Sequence, residues 1–256
     1  VFDTSFHQTW DPVHYLYSLP YKYYEKYGAR KYGAHGTSVR YVSQKAAEIM
    51  KRDLKDLKLI VCHLGSGASV TAVKDGKSFD TSMGFSPMAG ITMSSRSGDV
   101  DPSLLAFVMK KENLDADQML KVLNNESGLL GISGISPDMR DLRGDMTKLE
   151  GQKKKRADLA RNIFINRIIR YIGAYTLEMR GLDGIAFTAG VGEHDFGVRE
   201  HVMDSLELLG LKPDSAANKE NATIITKPDS TIVGMVIPTN EELMIERDVV
   251  RVAGLK

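Results

Sequence analysis

Residues 61–76, VCHLGSGASVTAVKDG, constrain this chain more than any other stretch. They give an apolar run, a bend with almost no side chains, a second apolar run and an Asp-Gly turn. Two apolar runs around a short small-residue bend predict paired antiparallel strands. Gly65 and Gly67 flank Ser66, so the bend can take left-handed dihedrals and aim consecutive N–H groups at an anion with no Cβ in the way. Phosphate is the usual occupant, although a Gly-x-Gly hairpin serves about as often as a tight turn and nothing more.

Three further segments share this character. Residues 80–102, DTSMGFSPMAGITMSSRSGDVDP, string small residues around Arg96, which has no immediate neighbour to pair it and is free to meet a ligand. Residues 131–141, GISGISPDMRD, form a second small-residue loop ending in acids and a base. Residues 184–194, GIAFTAGVGEH, run from an apolar strand into Gly190, Gly192 and Glu193 and then into a helical pattern. Those glycines therefore fall where the carboxyl end of a strand meets the amino end of a helix, the place where nucleotides bind in α/β sheets.

The hydrophobic pattern predicts an α/β domain. Strands are expected at 59–63, 69–73, 77–81, 184–188, 222–226 and 231–237, and helices at 37–51, 102–111, 116–124, 155–180 and 195–209. Asp101 before Pro102 reads as a cap followed by a first-turn proline. The polar stretch 143–156 reads as a mobile surface loop. Ile163, Phe164, Ile165, Ile168, Ile169, Ile172 and Leu177 make a pattern broader than one helix face needs, which fits core burial and a subunit interface equally well.

Thr239-Asn240-Glu241-Glu242 has the spacing of a capping box, with Thr239 as cap and Glu242 reaching back, which leaves Glu241 free. His35 lies between Gly33 and Gly36, an arrangement that suits both a reaching imidazole and a structural turn. With 34 Lys and Arg against 33 Asp and Glu, net charge implies neither nucleic acid nor an anionic membrane as partner. A single cysteine, Cys62, excludes an internal disulfide and fits a reducing cytoplasm, as it also fits plain core packing. No run of about 18 apolar residues is present in these 256 residues.

The segments VFDTSFHQT, KYGAHGTS, CHLGSGAS, DTSMGFSP, SRSGDVDP, SGLLGISGISPDMRD, FTAGVGE and VIPTNEELMI resemble, in order and spacing, the acetate and propionate kinase family of the sugar kinase, Hsp70 and actin superfamily. The resemblance implies a ribonuclease H-like α/β fold. It also implies a carboxy-terminal fragment: the chain opens without Met, inside what reads as a strand at Val1, and lacks the family's first domain. Residues 1–239 would be the second domain, and 240–256 a terminal helix that packs on the absent first domain in the parent.

The implied reaction is reversible, Mg²⁺-dependent transfer of a phosphoryl group from ATP to acetate, giving acetyl phosphate and ADP, by a cytoplasmic homodimer; the fragment alone is expected to be inactive. By motif, His35 matches the histidine that bonds the phosphoryl group in flight, and Arg96 the arginine for the acyl carboxylate or the phosphate. Asp3 matches the aspartate assigned to the metal, and Glu241 the metal-associated glutamate. His63, Leu64, Gly65, Ser66 and Gly67 resemble the phosphate hairpin. Asp138, Met139 and Arg140 resemble the edge of the adenosine pocket, and Gly190, Val191, Gly192, Glu193 and His194 its floor. Ala34 and Pro87 match the acyl pocket.

Ser66 and His194 stand where members usually carry Asn, Ala34 where several have Phe, and Val39 where a second His is common. A wider pocket at Ala34 keeps propionate open as substrate. A non-catalytic nucleotide-binding or dimerisation module is the alternative of a different class.

Overall fold

The near-continuous apolar run in Lys58–Leu64 decides the architecture, because this strand has apolar residues on both of its faces. The computed structural model of the chain describes residues 2–143 and 148–254. Strands β1 (Lys58–Leu64), β2 (Ala68–Lys74), β3 (Lys77–Thr81), β4 (Gly184–Thr188) and β5 (Val233–Val236) form a five-stranded sheet in the order β3-β2-β1-β4-β5. The β1-β2-β3 meander is antiparallel, while β4 and β5 run parallel to β1. Asp75 (φ 53°) and Gly76 (φ 75°) form the expected tight turn between β2 and β3.

The helices are α1 (Pro12–Tyr15), α2 (Lys22–Tyr27), α3 (Gly36–Met50), α4 (Pro102–Glu112), α5 (Ala116–Asn125), α6 (Gly128–Ser133), α7 (Gly151–Met179), α8 (Ala189–His194), α9 (Phe196–Asp204), α10 (Ser215–Lys219) and α11 (Glu241–Ala253). On one face of the sheet α3 lays Val39, Val42 and Ala46 against Leu59, Val61, Ala186 and Met235. On the other, α7 brings Phe164, Ile168 and Ile172 against Ile60, Cys62, Leu64 and Phe187. Strands buried on both faces read as continuous apolar runs for this reason.

Several expectations change. Residues 222–226 form single bridges (Pro213 with Thr226, Ile224 with Met235) instead of a strand. They cross so close over β5 that a Cβ on Gly234 would lie 2.9 Å from the Thr226 methyl. The helix expected at 195–209 stops at Asp204, and a 3-10 turn, Glu207–Leu209, leads to Gly210 at φ 92°. The broad apolar pattern on α7 is mostly core: Phe164, Ile165, Ile168 and Ile172 are buried by the chain itself, and Leu177 alone of that set is exposed.

Helix α7 begins at Gly151, inside the stretch expected to be a loop, of which 144–147 lie outside the described residues. Val1 and the last two residues of the proposed terminal helix lie outside them too. Phe2 is not in a strand, and a 3-10 turn, Ser5–Thr9, follows shortly after it.

The loop between β3 and α4 is tied down by main chain. Asp99 Oδ1 accepts from Gly90 N (2.8 Å), Asp99 N donates to Gly90 O (2.8 Å), and Asp99 Oδ2 accepts from the Tyr171 hydroxyl (2.5 Å). Leu129 N and Leu130 N, at the start of α6, donate to Met93 O and Ser94 O, and Ser94 N donates to Ser66 O. Gly128 (φ 60°) permits this closeness, since a Cβ there would run into the Met93 carbonyl oxygen. Arg96 sits on the turn so held, with Met93 N donating to Arg96 O (3.1 Å).

His7 anchors the N-terminal segment to the sheet edge. It is fully buried, its Nε2–H donates to the Ala34 carbonyl (2.9 Å), and its Nδ1 accepts the Ser78 hydroxyl (2.7 Å). Burial pushes its pKa down from 6.5 to about 4. Between those values the unfolded chain holds more protons than the folded one, so stability is lost as pH falls from about 6.5 toward 4, at up to about 1.4 kcal/mol per pH unit for this group. Denaturant midpoints measured from about pH 7 down to about pH 4.5 should fall. His7→Gln should flatten the slope, and an unaltered slope in that variant would assign the acid sensitivity elsewhere.

Candidate active site

The parallel pairing of β1 with β4 ends at His63 opposite Thr188. The bend 65–67 and the start of α8 therefore leave the sheet side by side, and a Cβ on Gly65 would lie 3.6 Å from that of Ala189. Neither Gly65 nor Gly67 has positive φ, so the left-handed turn expected from the sequence is not what requires them. A Cβ on Gly65 would lie 3.2 Å from Gly67 O, a tight approach, while one on Gly67 would lie 3.4 Å from both Arg96 Nη1 and His35 Nε2, in ordinary contact. The left-handed residue here is Ala189 (φ 63°), whose N–H is accepted by Glu193 Oε1 (2.9 Å). Gly190 and Gly192 belong to α8 itself, in place of a loop ahead of it.

A cavity of about 460 Å³ opens between these elements, lined by Gly65, Ser66, Ser94, Pro137, Asp138, Met139, Arg140, Arg143, Gly190, Val191, His194 and Asp195. All four stretches singled out in the sequence thus meet on one hollow. Asp138 caps the short turn Met139–Leu142 and is paired with Arg140 (2.6 Å), which holds its carboxyl below the usual range. Met139 is nearly buried, and the Leu64 side chain lies wholly in the core, leaving only its backbone for a ligand. His63, Leu64, Gly67, Gly192 and Glu193 do not line this hollow.

Beside it lies a second constellation. His35 (φ 60°) precedes α3, and its Nδ1 is 2.9 Å from Ser69 Oγ. Its ring stacks on His63 with centroids 4.0 Å apart. His63 Nδ1 is 2.8 Å from Ser38 Oγ, which is 2.7 Å from Thr239 Oγ1. Burial, reinforced by the neighbouring His35, pushes His63 down to about 3; burial also lowers His35, with Asp3 opposing and Arg96 adding to the shift. Arg96 Nη1 donates to Pro87 O (3.3 Å). Ala34 packs in the core with its carbonyl taken by His7.

Asp3 accepts from the backbone N–H groups of His35 (2.6 Å) and Thr37 (3.4 Å), fixing the entry to α3. Partial burial and the nearby Asp3 carboxylate raise the pKa of Glu241. The capping box at the start of α11 is not formed: Asn240 is the cap, its Oδ1 accepting from Leu243 N (2.9 Å). Thr239 is drawn away to Ser38, which the spacing alone did not reveal.

Arg199 was also missed. It is fully buried, and its guanidinium donates to Gly192 O, Glu193 O, Asn218 O, Asn218 Oδ1 and Asn221 Oδ1 at 2.6–2.9 Å. It closes the carboxyl end of α8 from beneath the hollow, and burial lowers its pKa to about 10. An arginine within an otherwise ordinary amphipathic helix carries no local sign of this role.

An antiparallel meander continued by parallel strands, covered by helices on both faces, with a cleft at the carboxyl ends of β1 and β4, is the ribonuclease H-like fold of the sugar kinase, Hsp70 and actin superfamily. The acetokinase family model matches residues 1–247, and the chain belongs to that family. It is 57% identical over 253 residues to an acetate kinase of Lacticaseibacillus paracasei, covering 97% of this chain and 63% of the relative. To one of a Geobacillus species it is 53% identical, covering 100% and 64%. The crystal structure of Porphyromonas gingivalis acetate kinase superposes with a TM-score of 0.94 at 42% identity, over 99% of this chain and 63% of that one. A propionate kinase from Francisella tularensis gives 0.88 at 42% identity, over 96% and 62%. The chain thus spans about 63% of the length of such relatives.

Two outcomes are expected. Arg199→Met leaves five acceptors without their donor, three of those bonds buried and two part-buried, and should cost at least about 3 kcal/mol, read as a lowered denaturant midpoint; a cost under about 1 kcal/mol contradicts the anchoring role. Asn240→Ala should cost about 1 kcal/mol through loss of the cap. Glu242→Ala should cost almost nothing by the same measurement.

Proposed function

We propose that this chain is the nucleotide-holding, carboxy-terminal part of a kinase that moves the γ-phosphoryl group between ATP and a short carboxylate, with acetate as the favoured acceptor. One observation carries the reading: the 65–66 bend, the 137–140 turn and α8 line one hollow, while His35 and Arg96 meet at Gly67, the next residue of the same bend. The hollow suits the nucleotide and the histidine-arginine pair the reacting phosphate. Residues 1–239 act as the second domain, and 240–256 as the helix that reaches a first domain outside this span.

Acetic acid, with a pKa of about 4 to 5, is already ionised at neutral pH, so its carboxylate attacks without a general base. The remaining task is to position two anions and neutralise the oxygens of the group in flight. Arg96 offers a planar fork of donors beside Gly67, and His35 a neutral imidazole at the same spot. Pro87, whose carbonyl holds Arg96, and the small Ala34 bound the acyl end.

Asp3 and Glu241 suit a divalent cation, because burial and the Asp3 carboxylate raise the pKa of Glu241 and a cation there would offset that repulsion. Asp3 and Glu241 would hold Mg²⁺ there, and the chemistry it would supply is neutralisation of the nucleotide phosphates. Propionate is the second reading, favoured by Ala34 and by the propionate kinase among the structural neighbours. Relative turnover on the two acids separates them. The protein works as a cytoplasmic homodimer in this reading, which light scattering would test. The balanced charge fits partners that are neither nucleic acid nor membrane, and no described helix is long and apolar enough to cross a bilayer.

Calorimetric titration of the chain with MgADP should show one site per chain. A Cβ on Gly190 meets nothing within 4 Å, so Gly190→Leu should fold normally, fill the hollow and weaken binding by at least about tenfold. Unchanged affinity in that variant removes the hollow as the nucleotide site. A form extended to the length of the relatives should turn over acetate in a coupled assay of ADP formation, whereas the 256-residue chain alone should not. An extended form that binds nucleotide but phosphorylates neither acid would instead support a binding or dimerisation module.

A further inference from the structure

Two stacked histidines can serve an anion only if each ring turns a proton toward it. His63 Nε2 lies 3.9 Å from where a Cβ on Gly65 would stand, and His35 Nε2 3.4 Å from that of Gly67. Neither Nε2 has a hydrogen-bond partner among the described residues, whereas each Nδ1 is engaged from behind by a serine hydroxyl. Ser38 and Ser69 are both fully buried.

We propose that Ser69 and Ser38 are positioning residues that fix His35 and His63 as Nε2–H tautomers, so that both rings present a donor to an anion seated over Gly65 and Gly67. The anion is that of the phosphoryl-transfer reading above; the His35 proton placement stands on geometry alone, while that of His63 also rests on that reading.

For Ser69 the argument is one of satisfaction. The His35 Nδ1 lone pair is the only acceptor of its hydroxyl among the described residues. Leaving a buried hydroxyl proton unmet costs about 1–3 kcal/mol, so Ser69 donates and Nδ1 accepts. A neutral imidazole has one proton, which must then sit on Nε2. For Ser38 the chain is longer, with His63 Nδ1 on one side and Thr239 Oγ1 on the other. Donation from Thr239 to Ser38 and from Ser38 to His63 leaves Nε2–H on His63. The reverse order would turn a bare lone pair toward the phosphate bend.

The stacking supports neutral rings, since two imidazolium ions with centroids 4.0 Å apart would repel. Burial holds His63 well below its usual range. The two donors therefore come without positive charge, and Arg96 remains the local cation that sets charge selectivity.

The test is long-range proton–nitrogen correlation NMR on the chain labelled with ¹⁵N-histidine, with signals assigned through His35→Gln and His63→Gln. Both rings should appear as single Nε2–H tautomers in the unmodified chain. Ser69→Ala should turn His35 into a tautomer mixture. Ser38→Ala should do the same to His63, as should Thr239→Val, which keeps the shape of the side chain. An Nδ1–H ring in the unmodified chain overturns the assignment whatever the variants do, as does a single tautomer that persists without the hydroxyl. Adding MgADP, or inorganic phosphate as a simpler probe, should shift the Nε2 signals. Correct tautomers that ignore both probes would overturn the anion-facing half and the kinase reading with it, while leaving the serine assignment in place.

Discussion

The parallel pairing of β1 with β4 is the constraint from which the site follows. Once His63 stands opposite Thr188, the chain leaves both strands at the same edge, and every element that can touch a ligand must be threaded around that edge. The bend after β1 lies within van der Waals reach of Ala189, His35 and Arg96. The meander of β2 and β3 then returns the chain past His35 by way of Ser69, which faces His63 across the ladder. The long loop after β3 brings Arg96 in from the other side.

Electrostatics follow the same geometry. Burial removes charge from the two imidazoles, so the exposed cationic character near the bend comes from Arg96. A second positive group, Arg199, is spent entirely on carbonyl and amide oxygens beneath α8 and offsets the negative end of that short helix. Asp3 joins two tasks: it fixes the entry to α3 with its carboxylate and raises Glu241 on the far element. Structural and chemical roles are therefore shared by single residues more often than the sequence suggests.

The fold was largely legible. Periodic apolar runs gave all five strands closely enough to place the bends, and Asp101-Pro102 marked the start of α4 as expected, with Asp101 Oδ1 accepting from Ser103 N at 2.7 Å. What the pattern missed has tertiary causes. Residues 222–226 have strand composition but meet β5 only at isolated bridges. Thr239 has the spacing of a cap, yet its hydroxyl finds a partner 201 positions away. Gly65 and Gly67 were singled out for a left-handed turn that the bend does not take, since a sequence shows that a side chain is missing without showing the dihedrals of the backbone there. Arg199 gave no signal, since its acceptors are backbone oxygens and two asparagines that only the folded chain assembles.

The loop that carries Arg96 has one property with wider reach. Its shape is set by peptide groups: Gly90 with Asp99, Met93 with Arg96, Ser94 with Ser66, and the first turn of α6. The guanidinium contributes a single long bond to Pro87. The Arg96 side chain, proposed to meet the phosphate, is thus a passenger on a frame that does not need it. A chain that had lost this arginine would keep its outline, its core and its bent loop, and by shape alone would be indistinguishable from the present one. If Arg96 serves the proposed chemistry, losing that chemistry and losing the fold are separate events in this domain.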